Sequence, residues 1–141
     1  HNKNIKLIAG KPLIAWSIES AISSRLIDEV FVSTNCKRIA KISEKYGAKV
    51  PFLRPKDISG DEATTEVAID HFIDFSKKTN VHFDNIVLVQ CTSPVRAKSR
   101  FDDAITFFSN NRLIILIFFN NCLTPNKDKY SIETGKITES T

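Results

Sequence analysis

Polar side chains follow an apolar segment in the middle of this chain, and their types are suited to binding a phosphate or a sugar. Residues 86–89 form a predicted strand, and the sequence continues directly into Gln90-Cys91-Thr92-Ser93-Pro94-Val95-Arg96. In open parallel sheets, ligands bind beyond the carboxyl ends of the strands, where hydroxyl, amide and backbone N–H groups meet them. Gln90, Ser93 and Arg96 are therefore candidate ligand-binding residues. A Ser-Pro turn after a strand is also a common structural turn, so the segment alone leaves both interpretations open.

Further polar residues stand at predicted strand ends or in loops: Lys3, Asn4, Arg54, Asp61 and Thr64. An arginine at a strand end can bind a phosphate or a base through its planar fork of N–H donors. Arg54 can equally be structural and pair with a nearby carboxylate. Thr64 is either a ligand contact or the residue that caps the following helix. The positions fit a ligand site by topology, while the residue types leave a structural role open.

The size and charge of the chain limit the classes of function. Its 141 residues, 42% of them hydrophobic, are enough for one core, so we expect a single domain over residues 1–141. Charged residues make up 26% of the chain and the net charge is +4, without a run of lysines and arginines interleaved with aromatic residues. This modest basic excess favours a small anionic ligand over a nucleic acid.

The cysteines and the apolar segments argue against a zinc-binding, disulfide-bonded or membrane protein. Cys36, Cys91 and Cys122 are far apart, with no Cys-x-x-Cys spacing and no nearby pair of histidines. Reduced thiols in a cytoplasmic protein are therefore expected. The longest apolar run, residues 113–119, is far shorter than the ~20 residues that a membrane helix needs, and no signal peptide opens the chain. We expect a soluble protein without a membrane partner.

The order of the predicted elements favours the α/β class. The hydrophobic periodicity and the turn residues predict a helix from Lys11-Pro12 to Ser23-Ser24, strands over 29–33, 49–53, 85–90 and 113–119, helices over 37–46, 64–77 and 99–109, and a hairpin over 130–137. Gly47 is expected to end the second helix as its cap. Strands that alternate with helices of these lengths predict right-handed βαβ units and a mainly parallel sheet.

Both ends of the chain indicate a fragment, since it starts at His1 without a methionine and stops in a polar segment after the predicted hairpin.

Seven short segments also stand in a recognisable order: Lys3-Asn4-Ile5, Ala9-Gly10-Lys11-Pro12-Leu13, Val32-Ser33-Thr34, Tyr46-Gly47-Ala48, Phe52-Leu53-Arg54-Pro55, Gly60-Asp61 and the segment from Gln90 to Arg96. In this order and spacing the chain resembles the acylneuraminate cytidylyltransferases, the CMP-N-acetylneuraminic acid synthetases. The resemblance runs from residue 3 to about residue 108.

This resemblance implies a fold and an activity. The fold is a Rossmann-like nucleotidyltransferase sandwich with a mainly parallel sheet flanked by helices, here incomplete at both ends. The activity is transfer of CMP from CTP to the anomeric hydroxyl of a sialic-acid-like 2-keto sugar acid, with release of pyrophosphate, in cell-surface polysaccharide biosynthesis. Catalysis would consist of positioning and charge neutralisation. The resemblance also implies Mg²⁺, with ligands in a C-terminal part that this chain lacks, and a homodimer for the full-length protein.

The same resemblance implies roles for individual residues. Lys3 offsets phosphate charge, and Asn4 holds the ribose or phosphate side of the nucleotide. Arg54 contacts CTP, and the loop against the cytosine contains Asp61, Ala63 and Thr64. These six residues form the predicted nucleotide site.

On the sugar side, Gln90 matches the family's glutamine, and Ser93 and Arg96 shape its turn. Lys127 is a candidate for the sugar carboxylate. Lys3 and Gln90 are the candidate catalytic residues, and no metal ligand is expected within this chain.

The chain also departs from the family pattern. Cys91 and Val95 replace the usual Pro and Leu, Asn35 stands where an Asp is common, and the match fades after Phe108. Two hypotheses remain: a cytidylyltransferase whose isolated fragment is inactive, and a non-catalytic remnant or regulatory domain that keeps the fold. The acceptor also stays open between N-acetylneuraminate, legionaminate, pseudaminate and an eight-carbon keto acid. Without the family's first strand, we expect a central position of the sheet to lack a partner.

Overall fold

A computed structural model describes residues 3–60, 63–91, 100–108 and 113–118. A 3₁₀ turn, Lys3–Ile5, precedes a small hairpin whose strands are β1 (Leu7–Ile8) and β2 (Lys11–Pro12). The elements that follow are α1 (Leu13–Ile22), β3 (Glu29–Ser33), α2 (Lys37–Lys45), a 3₁₀ turn at Lys56–Ile58, α3 (Thr65–Thr79), β4 (Asn85–Gln90), α4 (Arg100–Phe108) and β5 (Leu113–Phe118). The predicted hairpin over 130–137 lies outside the described residues.

Three strands form a parallel sheet in the order β3-β5-β4. β5 pairs with β3 from Glu29↔Ile114 to Ser33↔Phe118, and with β4 from Asn85↔Leu113 to Gln90↔Phe118. The prediction of a mainly parallel sheet is confirmed. Among the described strands the expected unpaired central position is not found, because β5 lies between β3 and β4.

Helices cover both faces of this sheet. Val30 and Val32 belong to a core cluster that also contains residues of α1, α2 and α4, whereas Phe31 packs against Phe72 of α3. Successive side chains of a strand point to opposite faces, so the two clusters lie on opposite sides of the sheet. The Phe31 and Phe72 rings are 5.0 Å apart between centroids. The chain is therefore an α/β protein.

The hairpin before α1 was not predicted from the sequence. Its turn residues Ala9 and Gly10 have φ values of 49° and 78°, as a two-residue type I′ turn requires. The N–H of Leu13 donates to the carbonyl of Lys6 at 2.9 Å and closes the hairpin against the helix. Because Lys11 and Pro12 pair with β1, α1 begins at Leu13 and not at Lys11, where the helix was predicted to begin.

The predicted strand over 49–53 is wrong as a regular strand. This segment lies beside β3 but forms only two isolated parallel bridges, Phe31↔Lys49 and Thr34↔Leu53. Between the bridges β3 advances three residues (31 to 34) and the neighbouring segment four (49 to 53), so one residue bulges out. Pro51 lies in the bulge and has no N–H for a ladder.

Gly47 ends α2 as predicted. Its φ is +96°, and a Cβ at this position would lie 2.9 Å from the Cδ1 of Ile22. The N–H groups of Gly47 and Ala48 donate to the carbonyls of Glu44 and Ser43, each at 3.0 Å. A glycine is needed here both for the left-handed backbone and for the close approach of α1. None of the helices within the described ranges is long and apolar enough to cross a membrane.

Candidate functional site

The carboxyl ends of the three parallel strands lie side by side. Ser33 and Gln90, the last residues of β3 and β4, are both in register with Phe118, the last residue of β5. This is the edge of a parallel sheet at which ligands bind. Gln90, predicted from the sequence, thus lies on the same edge as Ser33 and Thr34, which were not predicted as site residues.

Arg54 is attached to this edge by its backbone. Its N–H donates to the carbonyl of Thr34 at 2.8 Å, next to the bridge between Thr34 and Leu53. The Thr34 hydroxyl in turn accepts the N–H of Cys36 at 3.1 Å, where the chain turns into α2. The backbone of Arg54 is therefore fixed beside Thr34, the first residue after the end of β3.

The Arg54 side chain is buried, with 4% of its surface exposed. Its Nε–H donates to the Ser59 hydroxyl at 3.1 Å, and that hydroxyl donates to the carbonyl of Pro55 at 2.6 Å. Burial lowers the pKa of the guanidinium, because desolvation disfavours the charged form. An arginine nevertheless stays protonated in proteins, so this edge contains a buried cation suited to a phosphate or a carboxylate.

The N-terminal end of α3 contains two further predicted site residues. Thr64 occupies the N-cap position with φ −75° and ψ 163°, but its hydroxyl makes no capping hydrogen bond to the helix. A hydrogen bond from the Thr64 side chain is the main cause that lowers the pKa of the Glu66 carboxyl. Thr64 is therefore the N-cap residue of α3, one of the two alternatives from the sequence, and its hydroxyl bonds to the Glu66 carboxyl and not to a helix N–H. The N–H of the half-buried Ala63 donates to the carbonyl of Gly60 at 3.0 Å.

Lys3 and Asn4 lie in the 3₁₀ turn before the hairpin, Lys3 exposed and Asn4 partly exposed. Ile5 packs against the core cluster and anchors this turn. Residues 23–28 lead from the end of α1 directly to the start of β3, so α1 runs back along the sheet. Its ten residues span roughly 15 Å, close to the length of the five-residue β3. The start of α1, and with it the turn, faces the carboxyl edge.

The sheet separates these groups. Side-chain alternation puts Ser33 on the same face as Phe31, and Gln90 on the same face as Ile86, both in the cluster beneath α3. α3 also runs back along the sheet, because residues 80–84 connect its end to the start of β4. Its N-terminal end therefore lies on the same face and edge as Ser33 and Gln90. Lys3 and Asn4 approach from the α1 face.

Ser33 has a buried hydroxyl at this edge. The residue is fully buried, and its Oγ has no hydrogen-bond partner among the described residues. Such a group is unusual, because most buried polar atoms are paired.

The predicted site residues Asp61, Ser93, Arg96 and Lys127 lie outside the described residues and stay predictions.

No Mg²⁺ site is formed by the described part of the chain. Within it, no group of three or more His, Cys, Asp and Glu side chains is placed to hold a metal ion. This finding concerns only the described residues, and the resemblance implies Mg²⁺ ligands outside them.

A cavity of about 780 Å³ lies elsewhere. It is lined by Asp28 and Glu29 at the start of β3, by Glu44 and Ala48 at the end of α2, and by Val81 and His82 after α3. None of the residues predicted from the sequence lines it. The cavity lies at the amino edge of the sheet, opposite the converging strand ends, so cavity volume alone does not identify the site.

Comparison with known proteins identifies the family. The cytidylyltransferase family model matches residues 1–129. The chain belongs to the cytidylyltransferase family. The resemblance inferred from the motifs is thereby confirmed at the level of the family.

Several relatives of this cytidylyltransferase chain have names that state a substrate. It is 36% identical over 110 residues to the pseudaminic acid cytidylyltransferase of Campylobacter jejuni, covering 78% of this chain and 47% of the relative. It is 43% identical over 95 residues to the CMP-N,N'-diacetyllegionaminic acid synthase of Legionella pneumophila, and this alignment covers 67% of this chain and 40% of the relative. It is 31% identical over 107 residues to the N-acylneuraminate cytidylyltransferase of Escherichia coli, and this alignment covers 76% of this chain and 24% of the relative. The chain thus spans about half the length of these relatives or less.

Proposed function

We propose that the complete gene product transfers CMP from CTP to the anomeric hydroxyl of a nonulosonic acid and releases pyrophosphate. The observation that carries this proposal is the family match over residues 1–129, which includes the strand ends and Arg54. Three relatives named for pseudaminic acid, N,N'-diacetyllegionaminic acid and N-acylneuraminate support a nonulosonic acid as the acceptor. We propose a Rossmann-like sheet as the scaffold.

The proposed reaction is an in-line displacement at phosphorus. The anomeric oxygen forms a bond to the α-phosphorus of CTP, and the bond from that phosphorus to the bridging oxygen breaks. Pyrophosphate leaves with the electron pair, and the hydroxyl proton is released. Negative charge accumulates around the transferring phosphorus, so nearby fixed cations accelerate the step.

Arg54 and Lys3 are the proposed cations of the nucleotide site. The burial of the Arg54 guanidinium supports this role, because a charge interacts more strongly with a phosphate where water is excluded. Asn4, Asp61, Ala63 and Thr64 complete the proposed nucleotide contacts.

We assign the sugar acid to the side of Gln90, with Ser93, Arg96 and Lys127 as further contacts. The position of Gln90 at the end of β4 supports this assignment. We also propose Mg²⁺ as a cofactor, which would be held by residues outside those described and would add positive charge at the phosphates.

A pyrophosphate-release assay on the complete gene product tests the proposal. Pseudaminic acid, N,N'-diacetyllegionaminic acid and N-acetylneuraminic acid are each supplied with CTP, and each substrate is also omitted in turn. We expect release only when CTP and one of the sugar acids are both present. A folded protein that releases no pyrophosphate with any of the three would instead favour the non-catalytic alternative.

A further inference from the structure

The loop after Arg54 turns back on the arginine side chain. Pro55 has φ −55° and ψ 150° and leads into the 3₁₀ turn Lys56–Ile58. The N–H of Ser59 donates to the carbonyl of Lys56 at 3.2 Å and closes this turn. Five residues after Arg54, the chain has thus returned to the guanidinium.

The buried Ser59 hydroxyl makes three hydrogen bonds, of which the longest, 3.5 Å, goes to the carbonyl of Arg54. It donates to the carbonyl of Pro55 at 2.6 Å, which directs its lone pairs away from that carbonyl, and it accepts Nε–H of Arg54 at 3.1 Å. Ser59 is 7% exposed, so little water competes for these bonds. The guanidinium therefore donates to the Ser59 hydroxyl, and the hydroxyl donates to the backbone of the loop.

We propose that Ser59 is a positioning residue that orients the Arg54 guanidinium toward the phosphates of CTP. Nε, Cζ and the two terminal nitrogens of arginine are coplanar. A hydrogen bond at Nε therefore sets the plane of the group and the direction of the two terminal nitrogens, which form bidentate pairs with phosphates. This inference rests on the proposed function and adds to it a residue that does not itself touch the substrate.

The arrangement also suits the charge. Burial lowers the pKa of Arg54, and a hydrogen bond from Nε–H to a neutral oxygen stabilises the charged form without neutralising it. A carboxylate at the position of Ser59 would neutralise the cation and compete with the phosphate. A hydroxyl at this position adds no negative charge beside the guanidinium.

The test compares Ser59→Ala with Ser76→Ala in the complete gene product. Ser76 is a matched control, because it is 4% exposed and its hydroxyl donates to the carbonyl of Ile73 at 2.6 Å. For Ser59→Ala we expect KM for CTP to rise about tenfold, the equivalent of one hydrogen bond to a charged group, with a smaller fall in kcat. Ser76→Ala should leave KM for CTP unchanged. A KM for CTP in Ser59→Ala equal to that of the wild type would overturn the inference.

Two further variants separate positioning from loop stability. Ser59→Thr and Ser59→Val have nearly the same shape and differ in the hydroxyl, so the threonine should keep a KM close to the wild type and the valine should raise it. This pair decides the question even where Ser59→Ala does not fold. Equal KM values for the two would refute the role of the hydroxyl.

A double-mutant cycle tests whether Ser59 acts through Arg54. In the Arg54→Ala background, Ser59→Ala should not lower kcat/KM for CTP further, because there is no guanidinium left to orient. A second full loss would show that Ser59 acts independently and contradict the inference. A wild-type protein that neither binds nor turns over CTP would remove the proposed function itself, whereas an active wild type with an unaffected Ser59→Ala removes only this inference.

Discussion

Arg54 shows how burial changes the meaning of a single residue. An arginine before a proline in the sequence is compatible with a ligand contact or with a structural pair. In the structure the guanidinium is buried at the carboxyl edge. The Arg54 N–H donates to the carbonyl of Thr34, and its Nε–H donates to the Ser59 hydroxyl. A group held in this way can meet a phosphate without first losing conformational freedom, and this supports the nucleotide role.

Replacing Arg54 tests that role. Arg54→Ala should lower kcat/KM for CTP about 100-fold, because two charge-assisted hydrogen bonds are lost. Arg25→Ala is the matched control, since Arg25 is exposed on the loop before β3, and it should leave the kinetics unchanged. Steady-state kinetics at varied CTP measure both. Kinetics of Arg54→Ala equal to those of the control would contradict the nucleotide role.

At the scale of single elements, local signals located most boundaries. β3 and β4 begin and end at the predicted residues, because short apolar runs there are flanked by polar and turn residues. The segment over 49–53 has the same β-rich composition but contains Pro51, and the chain bulges at that point. The missing N–H of a proline thus outweighs the apolar pattern.

The turn after α2 gives a prediction at this scale. Gly47→Ala should lower the free energy of unfolding by about 1–3 kcal/mol, because the added Cβ meets both a positive φ and the Ile22 side chain. In Gly60→Ala the Cβ would meet nothing within 4 Å, and φ is not in the left-handed range, so a change within about 0.5 kcal/mol is expected. Urea unfolding of the two variants measures the difference. Equal losses would argue against this packing of α1 on the turn.

At the scale of the whole molecule, a polar contact joins segments far apart in the sequence. Asp102, in the first turn of α4, accepts hydrogen bonds from the Ser24 hydroxyl and from the N–H of Arg25, the latter at 3.1 Å. Ser24 is 5% exposed. The contact ties α4 to the loop between α1 and β3, on the face covered by the larger core cluster.

Removing this carboxylate should destabilise the fold. Asp102→Ala leaves a buried hydroxyl and a backbone N–H without their acceptor, so the free energy of unfolding should fall by about 1–3 kcal/mol. Asp103→Ala removes an exposed carboxylate from the same helical turn. It therefore controls for the helix dipole, which contributes up to about 1 kcal/mol. Thermal and urea unfolding measure the stability of both variants. Equal losses of stability would show that the contact of Asp102 is unimportant.

The sequence by itself determined the α/β class, the places where strands end in polar residues, and the family. These follow from local properties: hydrophobic period, the conformations open to Gly and Pro, and the order of short motifs. Only the tertiary structure decided that β5 lies between β3 and β4, that the cavity lies at the opposite edge, and that Ser59 meets Arg54. Such facts depend on which surfaces pack together, and residues distant in the chain compete for the same neighbours, so no local pattern specifies them.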